Sequence, residues 1–134
     1  MSDKPSIETA PMCFACGPDN QIGLRIRFTL EGDVCTASFT PNENHVGFSD
    51  TVHGGIIFSA LDDVMANLLY LKAMKAHTAL CEIRYRRALR VGQTIELSSH
   101  IETQRRRLVV LKGEARLAGT GELVADTTAS FMLE

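Results

Sequence analysis

Between positions 24 and 30, Leu24, Ile26, Phe28 and Leu30 alternate with Arg25, Arg27 and Thr29. Apolar residues at a period of two predict a strand with one buried face. Glu31-Gly32-Asp33 predicts a turn, and residues 34–40 its hairpin partner. From 41 to 52, Pro, Asn, Gly and Asp recur without any period. That predicts a loop long enough to carry function. The pattern then changes. From about 55 to 74, apolar residues such as Ile56, Ile57, Phe58, Leu61, Val64, Met65, Leu68, Leu69 and Leu71 point in nearly every direction around a helical axis. A surface helix would show one stripe, so this one is expected to be largely enclosed. Strands are predicted again at 78–85, 94–103, 108–117 and 122–133, the last with Leu123, Ala125, Thr127, Ala129, Phe131 and Leu133 on one face. Val91-Gly92-Gln93, residues 104–107 and Gly119-Thr120-Gly121 supply the turns.

The resulting order, β-β-α-β-β-β-β, predicts an α+β fold in which one antiparallel sheet curls around one long buried helix. Several strands carry apolar or small residues on both faces, so a second subunit is expected to cover part of the surface. A chain of 134 residues suits one domain, expected at 13–134 behind a flexible lead-in at 1–12. No internal repeat or low-complexity tract interrupts it.

Apolar residues at 45%, charged residues at 22% and a net charge of −2 argue against a nucleic-acid partner. The longest apolar run, 56–74, carries Asp62, Asp63, Asn67 and Lys72, so no membrane partner is expected. The polar start has no apolar core to act as a secretory signal, which makes the cytoplasm the expected compartment. Cys13 and Cys16 form a CxxC, but the second half of a zinc site is absent from the sequence pattern, and Gly17-Pro18-Asp19-Asn20 reads as a turn rather than a redox-active helix start. A reduced structural pair is expected, with an inter-subunit metal or disulfide as the alternative.

Two features carry candidate chemistry. Val52-His53-Gly54-Gly55 leads straight into the helix, whose first N–H groups have no intrahelical partner and carry partial positive charge. Such a position suits an oxygen gaining negative charge, although tight loop packing explains two glycines equally well. The aspartates tip that balance. Asp63 lies between Ser59 and Asn67 at i±4, a polar stripe that can satisfy it. Asp62 has Phe58, Ala66, Met65 and Leu69 as its helical neighbours and Ser59 as its only polar relief. A carboxylate in that setting costs free energy that folding alone does not repay.

His53-Gly54-Gly55 followed by six residues and Asp62 resembles the HGG-x6-D signature of hotdog-fold thioesterases, in their PaaI-like, phenylacetate-pathway branch. Cys13-Phe14-Ala15-Cys16-Gly17-Pro18-Asp19-Asn20 with Gly23-Leu24 is similar to the start of one subgroup, and the element order agrees over almost the whole chain. The resemblance implies hydrolysis of an acyl-CoA thioester without cofactor or metal, in a homodimer or homotetramer with its sites between subunits. It puts the catalytic acid on Asp62 as general base or nucleophile, the oxyanion N–H on Gly54 or Gly55, and a water-placing hydroxyl on Thr78. Relatives often carry an Asn six residues before the motif's histidine. Gly47 stands there, with Asn44 and His45 nearby, and His45 is the expected substitute. His53 is expected to be a structural hydrogen-bonder beside the substrate, and Asp63 a neighbouring contact. Arg86, Arg87 and Arg90, with Arg84, form a basic cluster that suits the phosphates of coenzyme A, and a solvated strand end explains any one of them equally well. Arg105-Arg106-Arg107 reads as surface first and as a phosphate contact second, and His77 and His100 read as surface. The alternative is a non-catalytic acyl-CoA binding or sensing module on the same fold.

Overall fold

The computed structural model describes residues 10–134. In chain order it contains β1 (Thr29–Glu31), β2 (Val34–Phe39), a 3-10 turn (Glu43–His45), β3 (Val46–Phe48), β4 (Thr51–Val52), α1 (Gly54–Leu71), β5 (Ala76–Tyr85), β6 (Ile95–Arg105), β7 (Leu108–Leu117) and β8 (Leu123–Leu133). Six strands form one antiparallel sheet in the order β1-β2-β6-β7-β8-β5, and β3 and β4 form a small separate hairpin. Helix α1 touches β2, β5, β6, β7 and β8, so the sheet wraps it as the sequence pattern predicts.

Ile57, Ala60, Leu61, Val64, Met65, Leu68 and Leu69 are the buried stripe of α1. They meet Cys35, Phe39, Ile95, Leu97, Val109, Leu111, Ala115, Ala125, Ala129 and Phe131 in one core. Every residue from 56 to 71 is buried or half-buried, the enclosure expected of a helix apolar on all sides. α1 has the length and mean hydropathy, 1.3, of a membrane-crossing helix. Its packing inside the sheet accounts for that hydropathy. Inside the core, Ser99 Oγ donates to Val64 O at 2.6 Å, and a Cβ on Gly113 would come within 2.9 Å of Thr127 Oγ1 and 3.3 Å of Met65 Cγ. The missing side chain on β7 is what lets α1 approach the sheet.

Three boundaries differ from expectation, each for a local reason. Residues 24–30 alternate in burial, with Leu24 and Ile26 buried and Arg25 and Arg27 exposed, but ladder pairing starts only at Thr29. Upstream, Leu24 N bonds to Phe14 O (2.8 Å) and Ile26 N to Ala15 O (2.9 Å), so the cysteine turn takes the place of a neighbouring strand. The 41–52 loop is better organised than expected, because Asn42 caps the 3-10 turn and β3 pairs with β4. Helix α1 ends at Leu71 rather than near 74, where Ala73 turns left-handed (φ 61°) and Met74 N bonds to Leu69 O at 2.8 Å. Of the expected lead-in at 1–12, residues 1–9 lie outside the described residues, and Cys13 N bonds back to Ala10 O at 3.1 Å.

Candidate active site

Helix α1 starts on a histidine cap. His53 is extended (φ −61°, ψ 133°), and its Nδ1 accepts the Gly55 N–H at 2.8 Å. A Cβ on Gly55 would lie 3.0 Å from that nitrogen, which explains the glycine. The Gly54 N–H has no partner among the described residues. The two candidate oxyanion donors therefore differ: one N–H is committed to the cap and the other is available. Tyr85 Oη donates to Gly54 O at 2.8 Å and fixes the same peptide from the other side. Burial raises the Tyr85 phenol above its ordinary value, so it remains a donor.

Asp62 is brought to β5 by an irregularity in that strand. Thr78 pairs with Phe131 and Leu80 with Ser130, leaving Ala79 as an extra residue. A bulge reverses the alternation of faces beyond it. Thr78 thereby shares the helix-facing side with Cys81, Ile83 and Tyr85, the partners of Ala129, Thr127 and Ala125. Its Oγ1 donates to Asp62 Oδ1 at 2.8 Å. Burial raises the Asp62 carboxyl above the usual carboxylate value of 3.8, and the Thr78 hydrogen bond pulls part of the way back. A half-buried carboxylate held by one hydroxyl, with a second oxygen left over among the described residues, is suited to take a proton. Cys81 stands nearby as a rival nucleophile. Burial first, and the Asp62 charge second, push its thiol up to about 11, so it stays protonated and unreactive.

The other expected residues fall into separate groups. Asp63 turns to the opposite flank of α1, toward Cys13 (Oδ2 3.8 Å), Cys16 and Asn67 (Nδ2 to Oδ2 2.9 Å). Burial raises its carboxyl, and the hydrogen bond from Cys16 is the leading opposing effect. His45 Nδ1 accepts from Asn42 N at 2.9 Å as part of a capping box, and its ring leans on Phe39 with centroids 5.6 Å apart. Burial lowers its affinity for a proton, and an accepting Nδ1 leaves the ring proton on Nε2. With Ile56, Asn44, Ile26 and Phe39 it lines a cavity of about 740 Å3. Gly47 lies against His53, where a Cβ would come within 3.1 Å of that backbone, so a larger residue does not fit there without movement.

A second cavity, about 370 Å3, opens at the helix start and is lined by Gly54, Ile57, Tyr85, Arg86, Arg87 and Leu89. Two of the expected basic residues therefore line the cavity at the helix start, while Arg90 bonds Asp50 (2.6 Å) on the neighbouring loop. Arg86 and Arg87 are themselves paired, with Asp126 (2.9 Å) and Glu122 (2.6 Å). A phosphate would have to compete with the half-buried Asp126 carboxylate at Arg86 and with the exposed Glu122 carboxylate at Arg87. Sequence reasoning missed Tyr85, although it stands among the arginines it had singled out. It also missed that Asp63 meets the cysteines, because nothing local connects positions 50 apart.

A profile of the thioesterase superfamily matches residues 50–124, more than half of the chain. No curated protein matches the sequence. Among solved structures, the E. coli PaaI protein from the phenylacetic acid degradation operon superposes with a TM-score of 0.76 at 19% identity, covering 81% of this chain and 83% of that one. A hypothetical thioesterase of Streptococcus pneumoniae, solved with coenzyme A, gives 0.76 at 14% identity over 81% and 85%. Two further Streptococcus pneumoniae thioesterase structures, one with an aspartate and the other with a threonine replaced by alanine, each give 0.75 at 13% identity. A Streptococcus mutans protein bound to acetyl CoA gives 0.74 at 17% identity over 81% and 88%. With its helix wrapped by one antiparallel sheet and its residues 50–124 matching the profile, the chain belongs to the thioesterase superfamily and has the hotdog fold.

Proposed function

We propose that the protein is a PaaI-like acyl-CoA thioesterase of the cytoplasm, which hydrolyses a thioester to a free acid and coenzyme A. The observation that carries this reading is Asp62: a half-buried carboxylate, raised by burial, held by Thr78 on an edge strand. In this mechanism the Gly54 N–H receives the thioester oxygen and lowers the cost of the tetrahedral oxyanion. Asp62 takes a proton from water as the water oxygen bonds to the carbonyl carbon. When the intermediate collapses, the carbon–sulfur bond breaks and the proton passes to the departing thiolate. Attack by Asp62 itself, through a mixed anhydride, uses the same atoms and stays the second route. Arg86, Arg87 and Arg90 are assigned to the phosphates of coenzyme A, and His45 and His53 to the loop and cap that flank the thioester.

Gly54 and Asp62 lie on one helix roughly 12 Å apart by rise, too far to serve the same carbonyl. A complete site then needs Asp62 from a second subunit, which favours a homodimer or a dimer of dimers. Exposed Leu80 (62%) and Tyr85 (50%) on edge strand β5 support that arrangement. The bound coenzyme A and acetyl CoA of the streptococcal proteins support the substrate class.

The test is thiol release from acyl-CoAs of graded chain length, followed by a thiol-trapping reagent. Turnover in wild type and its loss in Asp62→Asn are expected. Saturable acyl-CoA binding without thiol release would make the protein a binding module instead.

A further inference from the structure

Cys13, Cys16 and Asp63 are brought together from a turn and a helix that are far apart in the sequence. Their Sγ and carboxylate atoms all lie within 4.8 Å of one another, and each residue is half-buried. The turn depends on Gly17. A Cβ there would come within 2.4 Å of Cys13 N and Pro11 O, and Gly17 N closes the loop onto Cys13 O at 2.8 Å. Leu24 and Ile26 bind the same turn through Phe14 O and Ala15 O, so both sulfurs are held against α1.

From Cys13 the spacing is long for a hydrogen bond and close to that of two ligands sharing one ion. Cys13 Sγ lies 3.8 Å and 4.0 Å from the two Asp63 oxygens, at the long limit for a thiol donor. With zinc–sulfur bonds of about 2.3 Å and zinc–oxygen bonds of about 2.0–2.2 Å, the edges of a tetrahedral site run to roughly 3.5–3.8 Å. Asn67 then takes a familiar supporting place. Its Nδ2 donates to Asp63 Oδ2 at 2.9 Å and lies 3.8 Å from Cys16 Sγ, orienting one ligand and contacting another. No lysine or arginine pairs with Asp63 among the described residues.

We infer that Cys13, Cys16 and Asp63 form a binding site for a thiophilic divalent cation, zinc foremost, which ties the N-terminal turn to the middle of α1. Two thiolates and one carboxylate select zinc over magnesium or calcium. Binding releases a proton from each thiol. With three protein ligands, a tetrahedral ion keeps its fourth position for water. CxxC looked like half a site in the sequence; α1 supplies the third ligand. The inference concerns the flank of α1 away from Thr78 and stands whether or not Asp62 is catalytic.

The full chain, reduced and stripped with a chelator, is titrated with Co2+ while thiolate-to-cobalt charge transfer is recorded, and zinc is counted after desalting from Zn2+. One equivalent per chain is expected in wild type and in Cys81→Ser, and none in Cys13→Ser. Asn67→Ala should bind roughly 10–100-fold more weakly. If Cys13→Ser loses its far-UV circular dichroism, Asp63→Asn carries the same expectation. Absence of a charge-transfer band in wild type, a Cys13–Cys16 disulfide in place of metal uptake under reducing conditions, or equal binding by a folded Cys13→Ser or Asp63→Asn variant would overturn the inference.

Discussion

Asp62 and Asp63 are neighbours in sequence and opposites in surroundings. Asp62 meets one hydroxyl and a sheet edge, whereas Asp63 meets two cysteines and an amide. Helical spacing was enough to separate them, since Asp62 had apolar neighbours at every i±3 and i±4 position but one. It was not enough to show what Asp63 faces. If Asp62 is the base, Asp62→Asn should lower kcat by about 10²–10⁴-fold, measured by thiol release. The acid limb of kcat/KM should fall above the ordinary carboxylate value of 3.8, because burial raises this group. Thr78→Val removes the bond that lowers the Asp62 value, so the limb should move to higher pH. The stability sign is opposite to that of a salt-bridged acid. A carboxyl raised in the folded state is held protonated more tightly there than in the unfolded chain. Its contribution is therefore most favourable below the unfolded value and is lost as pH rises through the folded one. Asp62→Asn should accordingly melt no lower than wild type at pH 7, with the difference shrinking as pH falls.

At the scale of elements, periodicity found the helix and all six strands of the main sheet, most plainly in β6, β7 and β8, which alternate buried with less buried positions. It could not find features that break a period. The extra residue at Ala79 is one: strict alternation from Leu80 puts Thr78 on the wrong side, and only the bulge turns it toward Asp62. Pairing of 24–26 with the cysteine turn is another, since it depends on a backbone partner with no signature of its own. The glycine at 113 shows how closely α1 and β7 are matched. Gly113→Ala would place a methyl 2.9 Å from Thr127 Oγ1. It should destabilise the fold by about 1–3 kcal/mol in denaturant unfolding, the usual cost of an overfilled core. The α1 cap gives a smaller effect: His53→Ala leaves the Gly55 N–H without its acceptor and should cost about 1 kcal/mol.

At the scale of the whole molecule, the two halves of the proposed chemistry lie about two turns apart on one helix, and the strand that carries Thr78 and Tyr85 is an uncovered edge. A two-chain site makes a prediction that a one-chain site does not. Asp62→Asn removes the acid but keeps the helix start. Gly54→Val keeps the acid but adds bulk where a Cβ would already be 3.3 Å from Tyr85 Oη. Each variant alone should be nearly inactive. Unfolded together and refolded at equal concentrations, they should recover about a quarter of wild-type turnover, because half of the dimers are mixed and each mixed dimer has one intact site. A site within one chain would recover nothing, since every chain then carries a defect. Adding a charge to the exposed edge separates the two cases further. Leu80→Lys places an ammonium on β5, a common way of blocking strand addition. It should shift the protein toward monomer in sedimentation and reduce turnover in step with the loss of dimer, although Asp62, Thr78 and Gly54 all remain. Full activity in a Leu80→Lys monomer would show that the second subunit contributes nothing to the chemistry.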